Sequence, residues 1–502
     1  MRQKTCFLPP QHVQTRRVLG TPIPPQHAQR RRVLGTPIAA LVLFSLIFAA
    51  AADGQAPPPA TIRLDYYHTG DANREIFSLD RYVVEPLPWS GNPRRPIDDT
   101  NLGKYLFEVH DRATNRLLYS RGFSSIYGEW ETTGEAKTLS RTFSESVRFP
   151  DPAGPAQLLF KKRDGQNDFR EVWAVNYDPK SIFIDRAKPA LDPGPVIEIG
   201  QHGDSAFKVD FLILGDGYTA AERGKCEQDA RRLSAVLFET SPFKERRSDF
   251  NVRALCPAAA ESGVSRPSAG IWRSSPLGST YDTFGVERYM LTFENKKMRE
   301  LASFAPYEFV EILVNSETYG GGGIFGLYST VAAGSLWAPY VFVHEFGHHI
   351  AGLADEYYTS DVAYLPPASK VEPWEPNVTA LLDPERLKWK ALVSAGTPIP
   401  TPWDEAAFNA YEREAQNRRR QLRQEGRTES EIDALFREEE RHEQETFAAE
   451  KYAGKVGAFE GANYEAKGYY RPELNCIMFT RAKAFCRVCQ AAIERVIDLY
   501  TK

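Results

Sequence analysis

Histidine and methionine are both scarce in this chain, with nine and four among 502 residues. A local concentration of either type is therefore informative. Six cysteines are too few for a disulfide-dense scaffold. No apolar run reaches the ~20 residues that a membrane-spanning helix needs; the longest, Ile38–Ala52, reads IAALVLFSLIFAAAA. Basic charge is lacking beyond the N-terminus. Residues 1–52 hold seven Lys/Arg and no acid, which leaves 55 basic against 66 acidic side chains in the remainder. That excess of acid argues against nucleic-acid binding by general electrostatics.

What is present reads as a globular protein. Hydrophobic residues make up 42% and charged residues 25%, and the length allows two or three domains. Arg30, Arg31 and Arg32, the apolar run and the small residues before Asp53 together describe a secretory signal peptide. Its run is too short to anchor, so the mature chain is expected to be secreted, periplasmic or on a bacterial surface, with no stable membrane insertion. PPQHVQTRRVLGTPI at 9–23 recurs as PPQHAQRRRVLGTPI at 24–38; this tandem leader points to a misassigned translation start or a long basic region ahead of the signal. Residues 53–60 (DGQAPPPA) read as a linker.

From 61 to 188 the chain alternates apolar and polar residues in short segments, among them ATIRLDYY, KYLFEVHD and QLLFKKRD, broken by Gly, Pro, Asn and Asp. The pattern predicts a β-sandwich. After AKPALDPGP the character changes. VDFLILGDG at 209–217 reads as a buried strand, Thr219 and Glu222 as a capping box opening a helix, and NVRAL at 251–255 and FVEILVNS at 309–316 as further strands. That order predicts an α/β or α+β domain over 189–502. YGGGG at 319–323 lacks the Lys-Ser/Thr of a phosphate loop and reads as a loop whose backbone needs close approach or freedom. Residues 404–452 are dense in Glu, Arg and Gln; they predict a charged insertion of two helices projecting as a hairpin that turns near Gly426. Of the five cysteines past the signal, one or two disulfides are expected with one thiol left over. Cys486 and Cys489 form a CxxC, which without a second pair reads as a structural element.

The chemistry concentrates in VFVHEFGHHIAGLADEYY, residues 341–358. Residues four apart share a helix face, so His344 and His348 present two imidazoles to one point, and neutral imidazole is a good zinc ligand. Glu345, one step round, can reach a water held at that point. This is the HExxH arrangement of zinc peptidases. The bland reading is two histidines packed in a core helix beside a salt-bridged glutamate, an expensive burial of charge without a metal or partner. Gly352 is placed to end the helix, and Asp355 or, next, Glu356 can complete the coordination. His349 points about 100° away from His348 and reads as a packing or supporting residue.

HEFGHHIAGLADEYY resembles the signature of the IgA-peptidase family of bacterial zinc metallopeptidases, family sixty-four, grouped with the metzincins. The resemblance extends to ILGDGYTAAE, EPNVT, GAFEGANY, YRPELNCIMF and FCRVC, and the β-rich half resembles that family's N-terminal domain. It implies a metzincin-like catalytic domain with one Zn2+, Met478 in a methionine turn beneath the metal, and an edge strand near 324–332 that aligns a peptide substrate. The usual third ligand would fall on Ala354 and the usual glycine on Ala351; here Gly352 and Asp355 both stand one residue later. The reading is a secreted zinc metalloendopeptidase acting on protein or peptide, with Zn2+ on His344, His348 and Asp355 and Glu345 as general base. Two other readings stand beside it. One is a non-catalytic surface-binding protein whose zinc is closed by both Asp355 and Glu356. The other is a zinc hydrolase of a non-peptide amide or ester.

Overall fold

The computed structural model describes residues 57–359, 362–365 and 370–502. The expected signal peptide and tandem leader lie outside these residues. Among the described residues no helix is long and apolar enough to cross a membrane.

The N-terminal part is built from β1 (Ala60–Gly70), β2 (Glu75–Pro88), β3 (Tyr105–Asp111), β4 (Leu117–Phe123), helix α1 (Ile126–Trp130), β5 (Arg141–Pro150), β6 (Ala156–Arg163) and β7 (Phe169–Tyr177). They form two antiparallel sheets, ordered β2-β1-β5 and β4-β3-β6-β7. Ile62, Leu64 and Tyr66 alternate along β1 and meet Phe107, Val109, Leu158 and Phe160 from the other sheet in one core. The opposite face of β1 is polar and yet buried. Arg63 pairs with Asp65 at 2.7 Å, Ser146 donates to Asp65 at 2.6 Å, and Asn295 donates to Ser146 at 2.7 Å. This face docks on the rest of the chain through satisfied hydrogen bonds, where a free sandwich would expose it.

The larger part contains β8 (Ile197–Gly200), β9 (Val209–Asp216), α2 (Arg223–Leu237), β10 (Phe250–Leu255), the short β11 (Ser279–Thr280) and β12 (Leu291–Thr292), α3 (Asn295–Ala302), β13 (Phe309–Val314), β14 (Gly321–Ile324), β15 (Tyr328–Ala332), α4 (Ala338–Ala351), α5 (Glu405–Gln424), α6 (Glu429–Ala449), β16 (Phe459–Ala462), β17 (Glu465–Arg471) and α7 (Arg487–Thr501). Its main sheet runs β14-β15-β13-β9-β10-β8, parallel in the middle and antiparallel at both edges. Both faces are covered, which is why β9 is a continuous apolar run. Phe211 and Ile213 face α2 and α4, while Leu212 and Leu214 face a second core that includes Tyr127, Trp130 and Phe143 of the N-terminal part. The chain is thus mixed α/β with a β-rich N-terminal region.

Four expectations need correction. Residues 321–324 form a strand and not a loop, pairing with 328–331. A Cβ on Gly323 would lie 2.4 Å from the Glu345 carbonyl oxygen, and one on Gly321 2.5 Å from Val341 Cγ1; the glycines are there because the strand presses directly on α4. The outermost strand is therefore β14, and most of 324–332 belongs to β15 inside it. The 404–452 hairpin does turn through Gly426, at φ 64°, but it lies down instead of projecting. Phe436 packs at an angle against Tyr319 and edge-on against Trp337, with ring centroids 5.3 and 5.9 Å away, and Phe408 and Phe447 join the main core. Among the described residues one disulfide forms, Cys226–Cys256, and the other three cysteines there are free and buried, not one.

Docking the hairpin buries carboxylates. Glu412, Glu439 and Glu443 are 5%, 1% and 5% exposed, and Arg481 pairs with Glu439 at 2.7 Å. Burial raises the Glu412 carboxyl from 4.5 to about 7, with Glu439 adding to the rise and Arg481 opposing it. Because the folded state holds this proton more tightly, stability falls as pH climbs from about 4.5 to 7. Glu412→Gln should raise the thermal midpoint at pH 8, by a stabilisation of up to about 3 kcal/mol, and change it little at pH 5. Equal effects at both pH values would refute the assignment.

Candidate metal centre and active site

Helix α4 starts with Pro339 in its first turn and ends at Gly352, which adopts φ 56°, ψ 37°. Such a left-handed cap suits glycine. A side chain there would also meet the Trp374 ring at 2.5 Å. The extra residue of helix before this turn carries the chain back past the histidines.

His344 and His348 lie on one face, their Nε2 atoms 3.1 Å apart. Each ring is aimed by a backbone carbonyl. His344 Nδ1 donates to the Ile477 carbonyl at 2.9 Å, and His348 Nδ1 donates to the carbonyl of Leu353. A carbonyl only accepts, so each Nδ1 carries a proton, and in the neutral rings, the form that binds a metal, both Nε2 lone pairs point inward. Asp355 Oδ1 stands 3.0 Å from His344 Nε2 and 3.3 Å from His348 Nε2. That oxygen is buried with no hydrogen-bond donor, whereas Oδ2 accepts from the Tyr464 hydroxyl at 2.7 Å. Three electron-pair donors converge on one point. Their spacing matches the ~3.3 Å edge of a tetrahedron with bonds of about 2.0–2.1 Å, as zinc makes with imidazole and carboxylate. The residues fit a divalent ion of that kind.

Glu356 goes elsewhere. Consecutive residues of a non-helical segment project to opposite sides, and Glu356 is buried with its Oε1 accepting from Asn377 Nδ2 at 2.9 Å. His349 is also turned away. Its Nδ1 donates to the Ile324 carbonyl at 3.1 Å and its Nε2 accepts from the Val310 N–H at 3.0 Å, clasping α4 to β13 and β14. Burial pushes its pKa down to about 3, so it stays neutral. Within residues 341–350 only Glu345 and His348 are part-exposed, the others being buried. Burial raises the Glu345 carboxyl above its ordinary range, while the His344 and His348 imidazoles pull it back. Met478 is fully buried in the core that also contains Phe342 and Phe346, and its carbonyl accepts from the Glu356 N–H at 2.8 Å.

Several contributors escaped the sequence reading. Asn377 holds the returning segment at both faces of Ala354, accepting its N–H at 2.8 Å and donating to its carbonyl at 2.9 Å. Tyr340 contacts His344 Nδ1 at 3.2 Å. Tyr464 occupies a two-residue hairpin between β16 and β17 in which Asn463 and Tyr464 have φ of 53° and 65°. Such turns favour Asn-Gly, so a tyrosine there stores strain, and its hydroxyl is the donor to Asp355. The signal was an aromatic where the turn asks for glycine.

Residues 197–497 match the family model described as IgA Peptidase M64, and residues 56–174 match the one described as Peptidase M64 N-terminus. The chain belongs to the M64 peptidase family. No curated protein matches it. The family is metallo-type, and the described residues of this M64 peptidase contain the His344, His348, Asp355 group as a set that could hold a metal ion. Removing the Tyr464 hydroxyl leaves Asp355 Oδ2 without its donor. Tyr464→Phe should therefore weaken metal retention by about 10–100-fold, measured by competition with a chelator; unchanged retention would show that the hydroxyl does not hold Asp355.

Proposed function

We propose that this M64 peptidase is an exported, metzincin-like zinc endopeptidase in which His344, His348 and Asp355 hold the metal and Glu345 is the general base. The observation that carries the reading is a group of three protein donors, two imidazoles and one carboxylate, with a solvent-accessible glutamate beside it on the same helix. Zinc held there supplies Lewis acidity, making water a better nucleophile and polarising the scissile carbonyl. Glu345 takes the proton from the attacking water and delivers it to the leaving amine. A peptide substrate pairs in extended form at Gly323, the residue of β14 that keeps some exposure, since Gly321 is already bonded to Arg288 and Met290. Backbone pairing would make side-chain demands modest.

Glu356 faces Asn377 and Cys489, which deprives the closed, purely structural zinc site of its fourth ligand. That favours catalysis over the surface-binding reading. The general base is tested by Glu345→Gln. This variant should keep its zinc and lose about 10²–10⁴-fold of its hydrolysis of casein or a peptide library. Retained hydrolysis would remove Glu345 from the mechanism. Hydrolysis of simple esters or amides with none of peptides would favour the non-peptide reading.

A further inference from the structure

A second group of potential ligands lies immediately behind the first: Glu356, Cys476, Cys486 and Cys489, all buried, with one ligand atom from each within 4.8 Å of the others. The proposed hydrolysis uses none of them. Cys476 Sγ is 3.8 Å from Cys489 Sγ, and Cys489 Sγ is 3.5 Å from Glu356 Oε1. A bonded pair of sulfurs would be separated by about 2.0 Å. A tetrahedral zinc with Zn–S of about 2.3 Å and Zn–O of about 2.0 Å spaces its ligands about 3.8 Å for S···S and about 3.5 Å for S···O. The two spacings match the tetrahedron and not the disulfide.

The surroundings favour thiolates. Cys476 Sγ accepts from the N–H groups of Met478 at 3.5 Å and Cys486 at 3.2 Å. Cys486 caps the N-terminus of the 15-residue helix α7, its Sγ accepting from the Cys489 N–H at 3.4 Å. Both features stabilise negative sulfur. Glu356 Oε2 is buried without a hydrogen-bond partner, and its residue is 0% exposed. A disulfide between two of the cysteines would leave that oxygen and the third sulfur unsatisfied. A cation at the centre neutralises the buried carboxylate and holds all three sulfurs.

We propose that Glu356, Cys476, Cys486 and Cys489 form a closed structural zinc site, separate from the His344 centre. Four protein ligands leave no place for water, so the ion is not catalytic. Binding releases the thiol protons to solvent and involves no redox step. The site is a positioning device. Glu356 is bonded to Asp355, and Cys476 is followed by Ile477, whose carbonyl aims His344. One ion thereby ties the returning segment, the 476–479 turn and α7 together behind the first centre.

The test is made on the full mature chain, purified under reducing conditions and analysed for metal by mass spectrometry. The wild type should carry two zinc ions and His348→Ala one. With cobalt(II) in place of zinc, His348→Ala should show a near-ultraviolet thiolate-to-cobalt band, and Cys489→Ser should lose it. Should Cys489→Ser fail to fold, the cobalt spectrum of His348→Ala alone decides. A metal-free His348→Ala, a cobalt spectrum without a thiolate band, or an intact mass showing a disulfide among the three cysteines would overturn the site. One zinc per wild-type chain with full peptide hydrolysis would overturn it and leave the hydrolase reading standing. Two zinc ions without hydrolysis would do the reverse.

Discussion

The reversal of the chain at Gly352 sets where the third donor of the centre lies. A helix alone can present two imidazoles from positions four apart. It cannot present a third ligand at the same point, because that point lies off its surface. The third donor has to come from chain that has left the helix and returned. Gly352 makes this possible by taking a left-handed conformation against the Trp374 ring, where a Cβ would be strained twice over. Asn377 then holds Ala354 at both its backbone groups, and Asp355 and Glu356 fall on opposite sides of the segment. One residue faces nitrogen and the next faces sulfur.

The rest of the fold reads as support for that geometry. β14 is glycine-rich because it lies on α4 closer than any side chain permits, and His349 bolts the same helix to β13 and β14 from the far side. The 476–479 turn contributes carbonyl oxygens, one to His344 and one to the Glu356 N–H. Tyr464 accepts an unfavourable backbone conformation so that its hydroxyl meets Asp355. Each of these contacts joins segments far apart in sequence. The centre is therefore rigid only when the whole catalytic part has folded.

How much of this could be read from the chain depended on whether the information was local. HExxH, the helix stop and the Asp-Glu pair sit within fifteen residues and follow from helix periodicity and capping. Strand β9 was legible because a strand buried on both faces is a nearly continuous apolar run, and β10 and β13 because they are short and mostly apolar. YGGGG was misread because glycine normally weakens strands, and only the neighbouring helix explains it. The charged hairpin was read as projecting because its composition is that of a solvated surface. Its few aromatics, Phe408, Phe436 and Phe447, decide otherwise by docking in the core. The CxxC looked incomplete because its partners, Cys476 and Glu356, are 13 and 133 residues from Cys489.

The sequence by itself determined that two imidazoles and a glutamate share one helical turn, since period and capping are properties of neighbouring residues. It also placed Asp355 and Glu356 together just past the turn. Which of the two carboxylates meets the histidines was decided only in three dimensions, by a reversal that points adjacent side chains in opposite directions. The gathering of three cysteines and a glutamate was likewise a tertiary outcome, because distance along a chain says nothing of distance through a packed core.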